Sequence, residues 1–144
     1  AYNERYNQLK QAEQYLGTEY LGSIKPEQFD ENNINDQLIL KRARHVITEN
    51  ARVLEAKQCI INGKIKSFGK LMNESHLSYA KDFEASTEDV DLIVERSITS
   101  GAEGARLTGG GFGGFTVSLI QKNKFDEWKK NMKRFYDEEN IFGM

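Results

Sequence analysis

Ten residues, ARLTGGGFGG from Ala105 to Gly114, contain five glycines and lie between two short apolar runs. Glycine gives up the most backbone entropy on folding and adds no packing, so a run this dense needs a compensating use. Successive glycine amides can turn toward one point and form an anion-binding nest, and the missing side chains let phosphate oxygens approach the main chain. The competing use is a tight or bulged turn between two strands with no ligand involved. A two-residue turn needs one or two glycines, so five favour the nest. We read the run as neither a dinucleotide fingerprint nor a Walker loop. It is also unlike a glycine-rich RNA-binding tract, because it is single, bounded and free of Arg-Gly-Gly repeats.

The other residues that could do chemistry read as structural. His45 and His76 stand about thirty positions apart with no partner four residues on, so they are expected to make structural hydrogen bonds rather than a metal pair. Glu49 and Glu74 could suggest acid and base, but carboxylates on helices are commonly surface or capping groups. The KRAR stretch, Lys41 to Arg44, reads as a solvated helix flank, and Cys59 as an inert buried thiol. We expect no catalytic residue and no metal ligand in this chain.

The elements that must hold the glycine run are mostly helices. Tyr6, Leu9, Ala12 and Leu16 recur at spacings of three and four, giving a helix from Asn3 to Leu16 that stops at Gly17. KPEQFDENN carries Pro26 where a first helical turn tolerates it. A long helix from Asp36 to about Ile61, through Leu40, Ala43, Ile47, Ala51 and Leu54, ends at Asn62 and Gly63. A second follows from Lys64 to about Asp82, with Ile65, Phe68, Met72 and Tyr79 inward. The short break between them predicts an antiparallel helical hairpin. STEDV reads as a capping box at Ser86 or Thr87, opening a helix to about Ser100 that Gly101 and Gly104 stop. GARLT and FTVSLI are β-branched, apolar strands on either side of the glycines. A last helix from about Lys124 to Glu139 carries a stripe of Phe125, Trp128, Met132 and Phe135.

The expected class is therefore α+β and helix-rich, a single domain over residues 1–144, with a small antiparallel sheet packed on helices. Two strands make a marginal sheet, and FTVSLI has no charge or proline to protect an edge. We expect strands to be missing from an end, the chain to be a fragment, and its open edge to favour self-association. The 144 residues can bury a real core, and a net charge of −2 offers no general attraction to nucleic acid or anionic lipid. No apolar run reaches membrane-span length. One cysteine cannot form an internal disulfide, which fits a reducing cytoplasm.

GARLTGGGFGGFTVSLI, Gly104 to Ile120, resembles the third motif of the GHMP kinases, and within them the galactokinase family, which usually has Cys where this chain has Phe115. YNER at Tyr2 to Arg5, RARHVITEN at Arg42 to Asn50 and FGKLMNESHLSYAKDFEAS at Phe68 to Ser86 resemble the same family in the same order. The resemblance covers essentially the whole chain. It implies a ferredoxin-like-derived GHMP kinase C-terminal domain. It also implies a parent enzyme that transfers the γ-phosphoryl of ATP, with Mg2+, to the C1 hydroxyl of galactose. Other fates in the same family are a non-catalytic sugar sensor and an N-acetylgalactosamine kinase. The family's sugar motif, phosphate loop, magnesium ligands and catalytic aspartate belong to an N-terminal part and have no counterpart in this sequence. By resemblance, Tyr2 touches the sugar, and Thr108, Gly109, Gly110, Gly111, Phe112, Gly113 and Gly114 close over sugar and phosphate. Galactose and ATP are then partners of this chain only together with the missing half.

Overall fold

A computed structural model describes residues 1–144. Five α-helices and two strands follow in the order α1 (Tyr2–Leu16), α2 (Gln37–Ile61), α3 (Ile65–Ser78), α4 (Glu88–Thr99), β1 (Gly104–Leu107), β2 (Thr116–Leu119) and α5 (Phe125–Met132). Short 3-10 turns at Leu21–Ser23, Pro26–Gln28 and Glu31–Asn33 carry the chain from α1 to α2. No helix is long and apolar enough to cross a membrane.

Local chemistry sets the helix ends. Asp36 caps α2 by accepting from the amides of Leu38 and Ile39, and Thr87 caps α4 by accepting from Val90. Ser86, the other capping candidate, instead donates to Asp91 Oδ1 at 2.6 Å. Helices α2 and α3 form the expected antiparallel hairpin: His45 meets Ser78 and Glu49 meets Ser75, so positions rising along one helix fall along the other. The first core cluster gathers Ala12, Leu21, Ile34, Ile39, Leu40 and Ala43 where α1 and the 3-10 turns cover α2. A second, at the other end, joins Ala102, Trp128 and Met132. Trp128 Nε1 donates to the Ser97 carbonyl and hydroxyl, tying α5 to α4.

The two strands pair antiparallel, Gly104 opposite Leu119 and Leu107 opposite Thr116. The helices do more for this sheet than cover one face. The outward amides of β1 are taken by α3, Ala105 donating to Asn73 Oδ1 (2.9 Å) and Leu107 to His76 Nδ1 (3.2 Å). Neither strand has a second partner strand, and the outer edge of β2 lacks even such side-chain partners. Strand β1 sits so close to α3 that a Cβ on either Gly69 or Gly104 would overlap the backbone of the facing segment. Gly104 is therefore the first strand residue and a contact point, not a helix stop.

Other sequence expectations shift as well. Tyr6 is more than half exposed, because α1 turns Gln8 and Ala12 inward instead. Leu54 also faces solvent, and so does Ile65, expected to point inward from α3. The last helix ends at Met132, where Arg134 and Phe135 tighten to bonds with Asn131 and Met132, three residues back. Phe135 leaves the core and lies under the Arg96 guanidinium at 4.2 Å. A last one concerns Arg42 and belongs to the site.

Candidate functional site

The glycine run joins β1 to β2, and Thr108 N donates to the Phe115 carbonyl (2.9 Å) to close its base. Gly109, Gly111, Gly113 and Gly114 all have positive φ, between 84° and 123°. These are conformations that an L side chain rarely adopts. Gly110 is different: its φ is ordinary, and a Cβ there would meet nothing within 4 Å. Neither a positive φ nor a close contact requires glycine at that position. Thr108, Gly109, Gly110 and Gly114 are exposed, and Gly111 and Gly113 are half-buried. The amides of all five glycines make no hydrogen bond within the protein. Five unengaged donors on one short exposed segment can bind an anion or a hydroxylated molecule. Gly109, Gly111 and Gly114 do fall at the dinucleotide-fingerprint spacing, but the loop opens no helix. The helix N-terminus that such a cofactor needs is absent from it.

The loop is fixed at one point. Phe112 N donates to the Ala85 carbonyl at 2.6 Å, and a Cβ on Gly111 would overlap that same oxygen. Ala85 is fully buried and follows a π-helical turn, Tyr79–Phe83, that ends α3, with Glu84 in the left-handed region at φ 52°. This seat is held by arginines. Arg42 is 2% exposed, donates from Nε to Gln8 Oε1 (2.7 Å) and from Nη1 to the Asp82 carbonyl (2.6 Å), and meets Glu84 Oε2 at 2.8 Å. The Arg42 guanidinium beside Glu84 holds that carboxyl below its usual range. KRAR is thus not wholly a solvated flank. Arg42 stands three residues after Ile39 and one before Ala43, on the inward stripe of α2.

Arg5 approaches from α1, donating from Nε to the Phe83 carbonyl (2.6 Å) and from Nη2 to the Glu84 carbonyl (2.8 Å), with its guanidinium 5.6 Å from the Phe112 ring centre. Tyr2, 71% exposed, stands one helical turn before Arg5. Arg5 is the α1 residue that reaches the glycine loop, through the Phe112 ring. Sequence reasoning missed Arg5, Arg42 and Ala85 as parts of the site. The inward phase of Arg42 on α2 was the available signal for one of them.

The two histidines support this region from within. Leu107 N–H points at His76 Nδ1, so the ring's proton is on Nε2, which faces Asp91 Oδ1 at 2.8 Å. His45 shares a hydrogen bond with Ser78 Oγ and stacks on Phe83 at 4.7 Å. Burial pushes its pKa down to about 4, Glu49 and Asp82 opposing and Arg52 and Arg106 assisting. Glu49 accepts from Ser75 Oγ and Arg52 Nε, while Glu74 faces solvent. A cavity of about 260 Å³ lies away from the loop, between α2, α3 and β2, lined by Val53, Phe68, Met72 and Val117 among others.

Known proteins align with this arrangement. Residues 56–138 match the family described as GHMP kinases C terminal. A galactokinase from Lactobacillus helveticus is 38% identical over 143 residues, and one from Clostridium acetobutylicum 39% over 144. These alignments take in 94% and 95% of the chain but 37% of each relative. The crystal structure of Lactococcus lactis galactokinase complexed with galactose superposes with a TM-score of 0.87 at 33% identity, over 95% of this chain and 37% of that one. The chain thus spans little more than a third of the length of the relatives it matches. With the family pattern covering more than half of its residues, glycine loop included, the chain belongs to the GHMP kinases as a C-terminal domain.

Proposed function

We propose that this chain is the C-terminal part of a cytoplasmic, ATP-dependent galactokinase, with Thr108–Gly114 as its phosphate and sugar loop and Tyr2 as a sugar contact. The observation that carries the reading is the exposed glycine run with five unengaged amides, and above all Gly110, a glycine that the chain's own backbone and packing do not require. The likeness to galactokinases over nearly all of the chain supports the choice of substrate.

In the proposed reaction the C1 hydroxyl oxygen of galactose attacks the γ-phosphorus of ATP. The bond from that phosphorus to the β,γ-bridging oxygen breaks, ADP leaves, and the hydroxyl proton passes to a base outside residues 1–144. The loop amides hold phosphoryl oxygens or sugar hydroxyls as charge spreads over the transferring group. Each charge-assisted bond contributes roughly 1.5 to 3 kcal/mol. A few of them fall short of the roughly 8 to 23 kcal/mol that enzymes typically supply, so the domain is a cleft wall and not a kinase by itself.

The test is galactose 1-phosphate formation by the full-length protein carrying these residues, compared with its Gly110→Val variant. A side chain at 110 meets open space in this domain, so folding should be unchanged while turnover falls by about 10-fold to 100-fold, the value of one loop bond. Residues 1–144 alone should stay at background. Full activity in Gly110→Val would overturn the assignment of the loop. Galactose and ATP binding without product would identify a sensor, and preference for N-acetylgalactosamine would change the substrate.

A further inference from the structure

We infer that Arg5 is a positioning residue for the glycine loop, coupling it to the start of α1; this rests on the reading of the loop as the phosphate and sugar contact. Arginine's planar fork is suited to a carboxylate, yet Arg5 directs two of its nitrogens to the main-chain carbonyls of Phe83 and Glu84. Its side chain is only 11% exposed, and its carboxylate neighbour, Glu4, is no nearer than 3.5 Å. Those carbonyls belong to the seat on which the loop rests, since the next carbonyl, that of Ala85, accepts the Phe112 amide. The same guanidinium also faces the Phe112 ring. One side chain therefore touches both the seat and the loop's tip.

Backbone geometry shows why a clamp is needed at this place. The only two non-glycine residues with positive φ in the protein are Glu84 at 52° and Phe112 at 61°. Each is a conformation that L residues leave unless surrounding contacts hold it. Arg5 contacts both, through the Glu84 carbonyl and the Phe112 ring. Arg42 fixes the same seat from the buried side through the Asp82 carbonyl and the Glu84 carboxylate, but it reaches no loop residue. Between Gly109 and Gly114 the loop makes no other hydrogen bond than that from Phe112 to Ala85. With Arg5 in place, the free glycine amides keep a fixed position relative to Tyr2, one turn away on α1. Without it, the loop is free to leave the seat, and transition-state contacts that depend on exact placement are the first to go.

The experiment uses the full-length protein with Arg5→Met, Arg5→Lys, Phe112→Leu and Gly110→Val. Steady-state kinetics are combined with hydrogen exchange of segment 109–114. For Arg5→Met we expect kcat to fall about 10-fold to 100-fold, KM for galactose to change less than threefold, and exchange of the loop amides to rise. Lysine, with one point charge in place of a fork, should not restore either readout, and Phe112→Leu should give a smaller fall in kcat. Unchanged kcat per folded molecule and unchanged loop exchange in both Arg5 variants would overturn the inference. A global rise in exchange without a loop-specific one would show a structural role only, and would overturn it as well. Should Arg5→Met fail to fold, Arg5→Lys carries the same two readouts. If Gly110→Val is inactive while the Arg5 variants behave as wild type, only the positioning role fails. If Gly110→Val is fully active, it is the reading of the loop that fails.

Discussion

His45 makes this domain's stability depend on pH in a window separable from ordinary acid unfolding. The ring is almost wholly buried against Tyr79 and Phe83, and burial pushes its pKa from an ordinary 6.5 down to about 4. A group with a depressed folded pKa binds more protons in the unfolded state at intermediate pH. Its contribution is therefore complete above about pH 6.5 and is lost as pH falls toward 4. For these two values the loss is about 2 kcal/mol between pH 7 and pH 4.5, with a slope of about 1 kcal/mol per pH unit near pH 5. Carboxylates held low by arginine or lysine, Glu31, Glu84 and Glu138, act in the same direction but mainly below their ordinary 4.5. The assay is equilibrium urea unfolding by far-ultraviolet circular dichroism from pH 4.5 to 8, for wild type and for His45→Gln. Glutamine will cost a roughly constant amount through lost stacking and packing. What matters is the difference between the curves, which should shrink by about 2 kcal/mol on going from pH 7 to pH 4.5. Two curves that stay parallel over this range would refute the claim that His45 is held neutral by burial.

Two further outcomes follow from the sheet. Gly104→Ala should destabilise the domain by about 1 to 3 kcal/mol or more, because the new Cβ would overlap Gly69 backbone rather than a movable side chain; thermal unfolding measures it, and an unchanged midpoint would contradict the close approach of β1 to α3. The outer edge of β2 has no partner strand and no charged residue between Thr116 and Leu119. We expect residues 1–144 alone to sediment with a concentration-dependent coefficient, and Thr116→Lys to make them monomeric by charging that edge; a wild-type fragment that is monomeric at all concentrations would refute this.

The sequence made the helices legible because their apolar spacing and their stop signals agree: Asp36 and Thr87 are caps in the structure, and Asn62 and Gly63 do break the α2–α3 hairpin. The two strands were legible for a different reason, since β-branched runs flank a segment that cannot be helical. What stayed hidden depends on contacts between residues far apart in the chain. Arg42 looks like its neighbours Lys41 and Arg44, and only partners far along the chain, Gln8, the Asp82 carbonyl and Glu84, make its burial tolerable. The π-helical turn at Tyr79–Phe83 leaves no mark in composition, yet it turns the Ala85 carbonyl toward the loop. Even the glycines separate only in three dimensions. Four of the five loop glycines are required by positive φ, and one of those, Gly111, also by contact with Ala85, whereas Gly110 satisfies no demand of its own domain. A glycine that neither backbone nor packing requires indicates something outside the chain that must come close, and the free amides beside it are suited to a phosphate or a hydroxyl.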